Sequence, residues 1–258
     1  MDSDKELLQQ MTRHALENPQ FYLTSPQDCP YLDDRQERKI FTYLVGAEAK
    51  NLNDLLSVGG FRRSQTIAYR PACADCNACK SVRVLVPQFE FSKNQRKILK
   101  RNSDLVRIVK PALATSEQYA LFHRYLRSRH DDGGMVEMTE ADYIAMIEET
   151  HIETIVVEYR RRVEGHAITG SAHGELIAVA LTDVLDDATS MVYSFFAPDM
   201  DRRSLGTYII LDHIRQAIEN GLSYVYLGYW VAESAKMSYK TRFKPLEVLS
   251  SEGWTCLD

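Results

Sequence analysis

No stretch of this 258-residue chain approaches the roughly 20 consecutive apolar residues that a membrane-spanning helix needs, so no membrane partner is expected. The opening residues, MDSDKELLQQM, are acidic and polar. A secretory leader needs a basic start and an apolar core, so the cytoplasm is the expected location. Only five cysteines occur, and in a reducing compartment they leave metal ligation, reactivity or burial rather than a disulfide framework. Internal repeats and low-complexity tracts are absent, which sets solenoids and disordered arrays aside. The seven histidines fall at no metal-ligand spacing, and His130, just before Asp131-Asp132-Gly133-Gly134, is the one to watch.

What is present is a globular composition, 45% hydrophobic and 26% charged, with enough apolar surface for real cores. The net charge of −5 conceals an asymmetry. Between Arg35 and Lys110 sixteen Lys and Arg face six Asp and Glu, and the rest of the chain carries fifteen basic against thirty acidic residues. A basic first half on an acidic protein fits a lobe that binds a polyanion.

Alternation in SQTIAYR and SVRVLVPQF predicts two strands, and AKNLNDLLSV a helix stopped by Gly59 and Gly60. Ser92 caps a strongly basic helix, KNQRKILKRN, before an extended LVRIVKP. The stretch from Pro111 to Thr115 is the expected boundary, giving units 1–110 and 111–258. Thr115 and Gln118 then form a capping box for the helix SEQYALFHRYLRSRH, and Thr139 starts another. TIVVEYR, ELIAVALTDVL and SMVYSFF follow as strands, then a turn, a long helix closed by Gly221, and the strand SYVYLGYWV. This order predicts an α/β (α+β) fold with a mixed sheet in the C-terminal lobe.

Two motifs carry chemistry. In DRRSLGTYIILDHI a basic, glycine-containing turn opens the long helix, and free backbone N–H groups with a helix dipole make an anion site. The turn resembles the pyrophosphate-binding turn of GNAT-like acyltransferases. It keeps Gly206 but has Tyr208 where a second small residue is expected, which argues for an acyl donor other than CoA. Gly206 as a plain packing residue is the competing reading. The second motif is Cys73-x-x-Cys76-x-x-Cys79 with Cys29 upstream. Four thiols suffice for a structural zinc or an iron–sulfur cluster, and equally for four small buried hydrophobes.

The segments FYLTSPQDCPYLDDRQERKIFTYL, GFRRSQTIAYRPACADCNACKSVRV, RSLGTYIILDHI, YVYLGYW and KMSYKTRFKPLE, in that order, resemble the bacterial aspartate/glutamate leucyltransferases. These are related to the eukaryotic arginyl-tRNA–protein transferases. The resemblance implies a GNAT-like C-terminal lobe beside a smaller basic lobe. It also implies leucyl-tRNA as donor, and as acceptors proteins beginning with Asp or Glu, which leucine then marks for N-degron proteolysis. Arginyl transfer and CoA-dependent N-acetylation are the alternatives, and an apolar donor pocket would favour leucine over arginine. Ester aminolysis requires no cofactor.

Within that frame Arg96, Lys97, Lys100, Arg101 and Arg203 are the expected tRNA contacts, with Arg62 and Arg63 behind them. Arg63 and Arg70 are the expected readers of the acceptor carboxylate, with Lys236 and Lys240 as alternatives. The chemistry is expected where β-strands part, at the ends of ELIAVALTDVL and SMVYSFF. Asp183 would orient or deprotonate the amine there and Tyr193 would donate to the oxyanion, with Tyr226 and Tyr229 as second choices. Cys29, Cys73, Cys76 and Cys79 are expected to gather in one structural cluster.

Overall fold

Side chains that alternate between two apolar layers organise the fold around an eight-stranded mixed sheet. The computed structural model describes residues 19–129, 135–163 and 174–257, so His130 lies outside the described residues. A small sheet comes first, built from β1 (Tyr22–Leu23), β4 (Lys39–Tyr43), β5 (Arg62–Ser64) and β6 (Ile67–Pro71) in the order β1-β4-β6-β5. Between β1 and β4 a hairpin pairs β2 (Gln27–Asp28) with β3 (Gln36–Glu37), and helix α1 (Ala49–Val58) joins β4 to β5.

The large sheet takes strands from both halves of the chain. Its members are β7 (Lys80–Leu85), β8 (Leu105–Pro111), β9 (Thr154–Arg161), β10 (Leu176–Val184), β11 (Ala188–Phe196), β12 (Tyr224–Trp230), β13 (Leu246–Ser250) and β14 (Gly253–Cys256). The spatial order is β14-β13-β7-β12-β11-β10-β9-β8. The boundary expected at Pro111 therefore does not divide the sheet. β7 lies in its interior between β13 and β12, and β8 forms the far edge on β9. Val82 and Val84 are fully buried, and an apolar strand of that kind finds cover only inside the large sheet.

β10 is buried along nearly its whole length because helices cover both of its faces. Val179 and Leu181 pack with Phe122 and Leu126 of α3 (Ser116–Arg129) and Tyr143 of α4 (Glu140–Glu148). Ala178 and Ala180 face the other way, onto Ile209 and Leu211 of α5 (Leu205–Glu219). Ile98 of the basic helix α2 (Lys93–Arg101) joins that second layer.

Local capping chemistry sets the helix starts. Ser92 and Gln95 bond reciprocally at 3.2 and 2.8 Å, and Thr115 and Gln118 at 3.2 and 3.1 Å. β11 and β12 run parallel and are joined through α5, the one crossover that interrupts the antiparallel run β8-β9-β10-β11. A meander followed by a helix and a parallel strand is the layout expected of the GNAT-like lobe.

Candidate functional site

β11 and β12 pair over only three residues, Ala188–Ser190 against Tyr224–Tyr226, and then part. β10 and β11 stay paired from Ala178/Phe196 to Val184/Thr189. The opening in the sheet therefore lies between β11 and β12, one strand over from where the sequence placed it. A bulge at Tyr226/Gly228 turns β12 away while it remains on β7, and Gly228 takes φ +85°, a conformation L side chains rarely adopt.

A cavity of about 300 Å³ fills the gap. Met191 to Ser194 of β11 form one wall, Leu227 to Tyr229 of β12 the other, and Tyr125, Ile210, Met237 and Tyr239 close the sides. The small sheet supplies Arg62 and Tyr69, and the residue two beyond Cys29, Tyr31, stands at the mouth. Among the described lining residues none is Asp or Glu.

Strands that part leave backbone groups without partners, and two buried cations answer them. Arg62 donates from Nη2 to the Met191 carbonyl and from Nη1 to Ser190 Oγ (3.0 Å). Lys240, on the 3₁₀ segment Ala235–Arg242, donates to the Tyr229 carbonyl. One cation thus holds each lip. Burial, followed by the charge of Arg62, lowers Lys240 to about 7.

The residues expected to do chemistry are distributed differently. Asp183 is buried in a two-pronged ion pair with Arg63, at 2.8 Å to Nε and 2.7 Å to Nη2, and accepts a further bond from Thr154 Oγ1 at 3.0 Å. Each consumes the other, which leaves neither the base nor the carboxylate reader that the sequence suggested. Their pair instead ties β5 of the small sheet to β9 and β10. Arg70 is exposed, donates to the Gly59 carbonyl (3.2 Å) and lies over the Phe61 ring. Tyr226 accepts from Arg83 at 3.1 Å, and the Tyr229 hydroxyl lies 3.0 Å from the Gly60 carbonyl and 2.9 Å from that of Tyr69, which occupies both second choices. Tyr193 does line the cavity, and burial raises its phenol well above the ordinary value, so it stays a neutral donor.

An adjoining cavity of about 540 Å³ shares Tyr125, Ser194, Ile210 and Tyr239 with the first and runs to Ser204–Thr207 at the start of α5. Lys236, exposed, stands on its rim. The first turn of α5, whose leading N–H groups have no partner within the helix, lines this space. A Cβ at Gly206 would come within 3.2 Å of Phe196 Cε1, so this glycine also serves close packing. Tyr208 is buried against Tyr159, which uses the second position of the turn for the core. Arg203 pairs with Asp104, and Arg101 donates to the Arg202 carbonyl, so α2 docks on this turn. Arg96, Lys97, Lys100 and Arg101 are all exposed along α2.

At the cysteines, burial and the nearby Cys29, Cys73 and Cys76 thiols raise Cys79 to about 11, so the distant Cys29 does come to the ladder. Arg35 supports the approach through Cys29 N–H on its carbonyl at 2.8 Å. Sulfur is a suitable donor for a soft metal, yet among the described residues no group of three or more Cys, His, Asp or Glu side chains is arranged to hold an ion. Charge coupling reaches further than the roughly 2.3 Å of a metal–sulfur bond, so the thiols lie near one another without converging on one point.

Sequence reasoning placed Arg62 only among secondary tRNA contacts and passed over Gly228. The available signal was a lone glycine inside an apolar strand, YVYLGYW, which marks a bulge or a close approach.

Two models of one family cover most of the chain. They are the arginine-tRNA-protein transferase N terminus at residues 27–97 and the C terminus at residues 117–250. An aspartate/glutamate leucyltransferase from Afipia carboxidovorans is 60% identical over 248 residues, 96% of this chain and 97% of that protein. Another, from Methylorubrum extorquens, is 58% identical over 95% of this chain and 98% of that protein. Among solved structures, FemX matches at TM-score 0.48 and 9% identity over 90% of this chain and 86% of its own. L-PGS from Bacillus licheniformis matches at TM-score 0.44 and 12% identity, over 73% of this chain and 52% of its own.

Proposed function

The chain belongs to the arginine-tRNA-protein transferase family, and on that premise we propose that it transfers leucine from leucyl-tRNA to the α-amine of proteins beginning with Asp or Glu. The observation that carries this reading is the cavity between β11 and β12, with two basic side chains at its floor, an adjoining cavity that runs to the start of α5, and a basic helix docked on the turn before α5. Leucyl-tRNA enters with its backbone along α2 and its 3′ end in the space at the start of α5. The acceptor's first residue occupies the inner cavity.

A reference α-amine pKa of about 8 leaves a usable neutral fraction at cytoplasmic pH. The amine nitrogen attacks the ester carbonyl carbon, a tetrahedral oxyanion forms, and the bond to the ribose oxygen breaks as the amide forms. The proton shed by nitrogen ends on that ribose oxygen. The protein's task is to hold the two reactants together and stabilise the oxyanion, with the neutral Tyr193 hydroxyl as donor. No covalent intermediate is required. Leucine is favoured over arginine because Asp201, the acidic residue among the described lining of the outer cavity, is already paired with Arg129 at 2.6 Å.

The cysteine cluster acts structurally, pinning the hairpin that carries Tyr31 to the cavity mouth, and no cofactor enters the transfer. Among the described residues no helix is long and apolar enough to cross a membrane. The reaction belongs to the cytoplasm, where added leucine marks the acceptor for proteolysis. Incubation with Asp- and Glu-initiated peptides, charged tRNA pools and acetyl-CoA should add one leucyl residue, detected by mass. Arginylation, or acetylation without tRNA, would replace this reading.

A further inference from the structure

Buried cations in this protein are normally answered by carboxylates. Among the described residues five cationic side chains are buried: Arg62, Arg63, Arg83, Arg160 and Lys240. Arg63 has Asp183, Arg83 has Glu247 at 2.7 Å, and Arg160 has Glu158 and Glu117 at 2.7 and 2.5 Å. Arg62 and Lys240 make only neutral hydrogen bonds, and they sit beside one another. A buried charge without a counter-charge costs several kcal/mol, which Lys240 relieves by giving up its proton near pH 7, and an anion from outside would supply the counter-charge that both groups lack.

The geometry says where that anion goes. Gly228 lies between the two cations: the position its missing Cβ would occupy is 3.6 Å from both Arg62 Nε and Lys240 Nζ. Arg62 spends one N–H of Nη1 and one of Nη2 on β11, which leaves Nε–H among its three remaining donors, and Lys240 spends one of its three donors on Tyr229. Unused donors on Arg62 Nε and Lys240 Nζ therefore border one small gap that a side chain at 228 would fill. A planar, two-oxygen anion suits it.

We propose that Arg62 and Lys240 form the pocket that reads the side-chain carboxylate of the acceptor's first residue, with Gly228 keeping the pocket open. The proposal deepens the transfer reading above and rests on it for the identity of the acceptor. It transfers specificity from Arg63 and Arg70 to the cation next to one and to a lysine 170 positions from the other. A tRNA phosphate is the lesser candidate for this gap. Apart from Arg62 and Lys240 the described lining of the inner cavity is uncharged, while the exposed Arg96, Lys97, Lys100 and Arg101 lie on α2, outside that lining, and Arg101 reaches the turn before α5.

Recognition by this pair is linked to a proton. The charged and titratable groups that line the cavity with Lys240 are the Arg62 guanidinium from β5 and the phenols of Tyr31, Tyr69, Tyr125, Tyr193, Tyr229 and its neighbour Tyr239. Below about pH 7 the lysine is already charged and binds a carboxylate directly. Above that, carboxylate binding draws a proton onto Lys240, so affinity falls by up to about tenfold for each further pH unit.

The test measures binding of Glu- and Gln-initiated peptides by calorimetry without tRNA. Both peptides carry the same α-amine, so their affinity ratio isolates the side chain. The wild-type protein should favour Glu by about tenfold or more at about pH 6, with the ratio declining as pH passes 7. Lys240→Gln, which retains a donor for the Tyr229 carbonyl, should reduce the ratio by about tenfold. Lys240→Arg should keep the preference and lose its pH dependence. A folded Lys240→Gln protein with an undiminished ratio would overturn the proposal, as would weakened leucyl-tRNA binding with unchanged peptide binding. If Lys240→Gln does not fold, an unchanged pH dependence in Lys240→Arg decides against it. A protein that binds Glu peptides through Lys240 but transfers a different acyl group would remove the leucyl reading and leave the pocket standing.

Discussion

Arg62 and Arg63 are neighbours that alternate across β5 and meet opposite surroundings. Arg62 reaches the cavity floor, whereas Arg63 turns to Asp183 in an ion pair with both side chains 2% exposed or less. Breaking such a pair leaves one charge buried and alone, which costs about 3–5 kcal/mol. Arg63→Gln and Asp183→Asn should therefore both lower the urea midpoint strongly. The folded fraction should keep near-normal KM for Asp- and Glu-initiated peptides, because neither side chain faces them. A large KM change at unaltered stability would return Arg63 or Asp183 to the active site.

At the scale of elements, α2 separates two tasks around its circumference. Gln95 and Ile98 are buried, and Leu99 packs against the core, while Arg96, Lys97, Lys100 and Arg101 face solvent. Each phosphate neutralised contributes about 0.7–0.9 to the slope of log K against log salt. Replacing all four cations by Gln, a comparable helix former, should weaken leucyl-tRNA binding and flatten that slope by about 2–4. Peptide affinity should hold, since the inner cavity does not include these side chains. An unchanged salt slope would remove α2 from the tRNA footprint.

Across the whole molecule, the two halves of the chain share one sheet. β7 donates an interior strand and β8 an edge, so a fragment spanning 111–258 would leave β12 and β13 without the strand between them. Unpaired backbone and the exposed faces left by Val82 and Val84 should prevent native packing. Near-UV circular dichroism of that fragment should show no fixed aromatic environment, and the full chain should unfold in one transition. A fragment with native-like near-UV signal would restore the Pro111 boundary.

Local chemistry was legible in the sequence wherever the deciding groups lie within a few residues of one another. Ser92 and Thr115 cap because their partners are three positions on, and β10 is central because its own apolar run admits no solvent face. The leucyltransferase motifs are likewise contiguous, which makes the family legible in the sequence. Tertiary structure decided what depends on distant partners. Arg63 meets Asp183 across 120 positions, and the donors of Arg62 and Lys240 converge on Gly228 from separate elements. The alternation of β5 alone cannot say which arginine finds a carboxylate and which is left for a substrate. That choice follows from where β10 and β11 lie when the sheet closes, because a buried charge is settled by its nearest opposite charge in space.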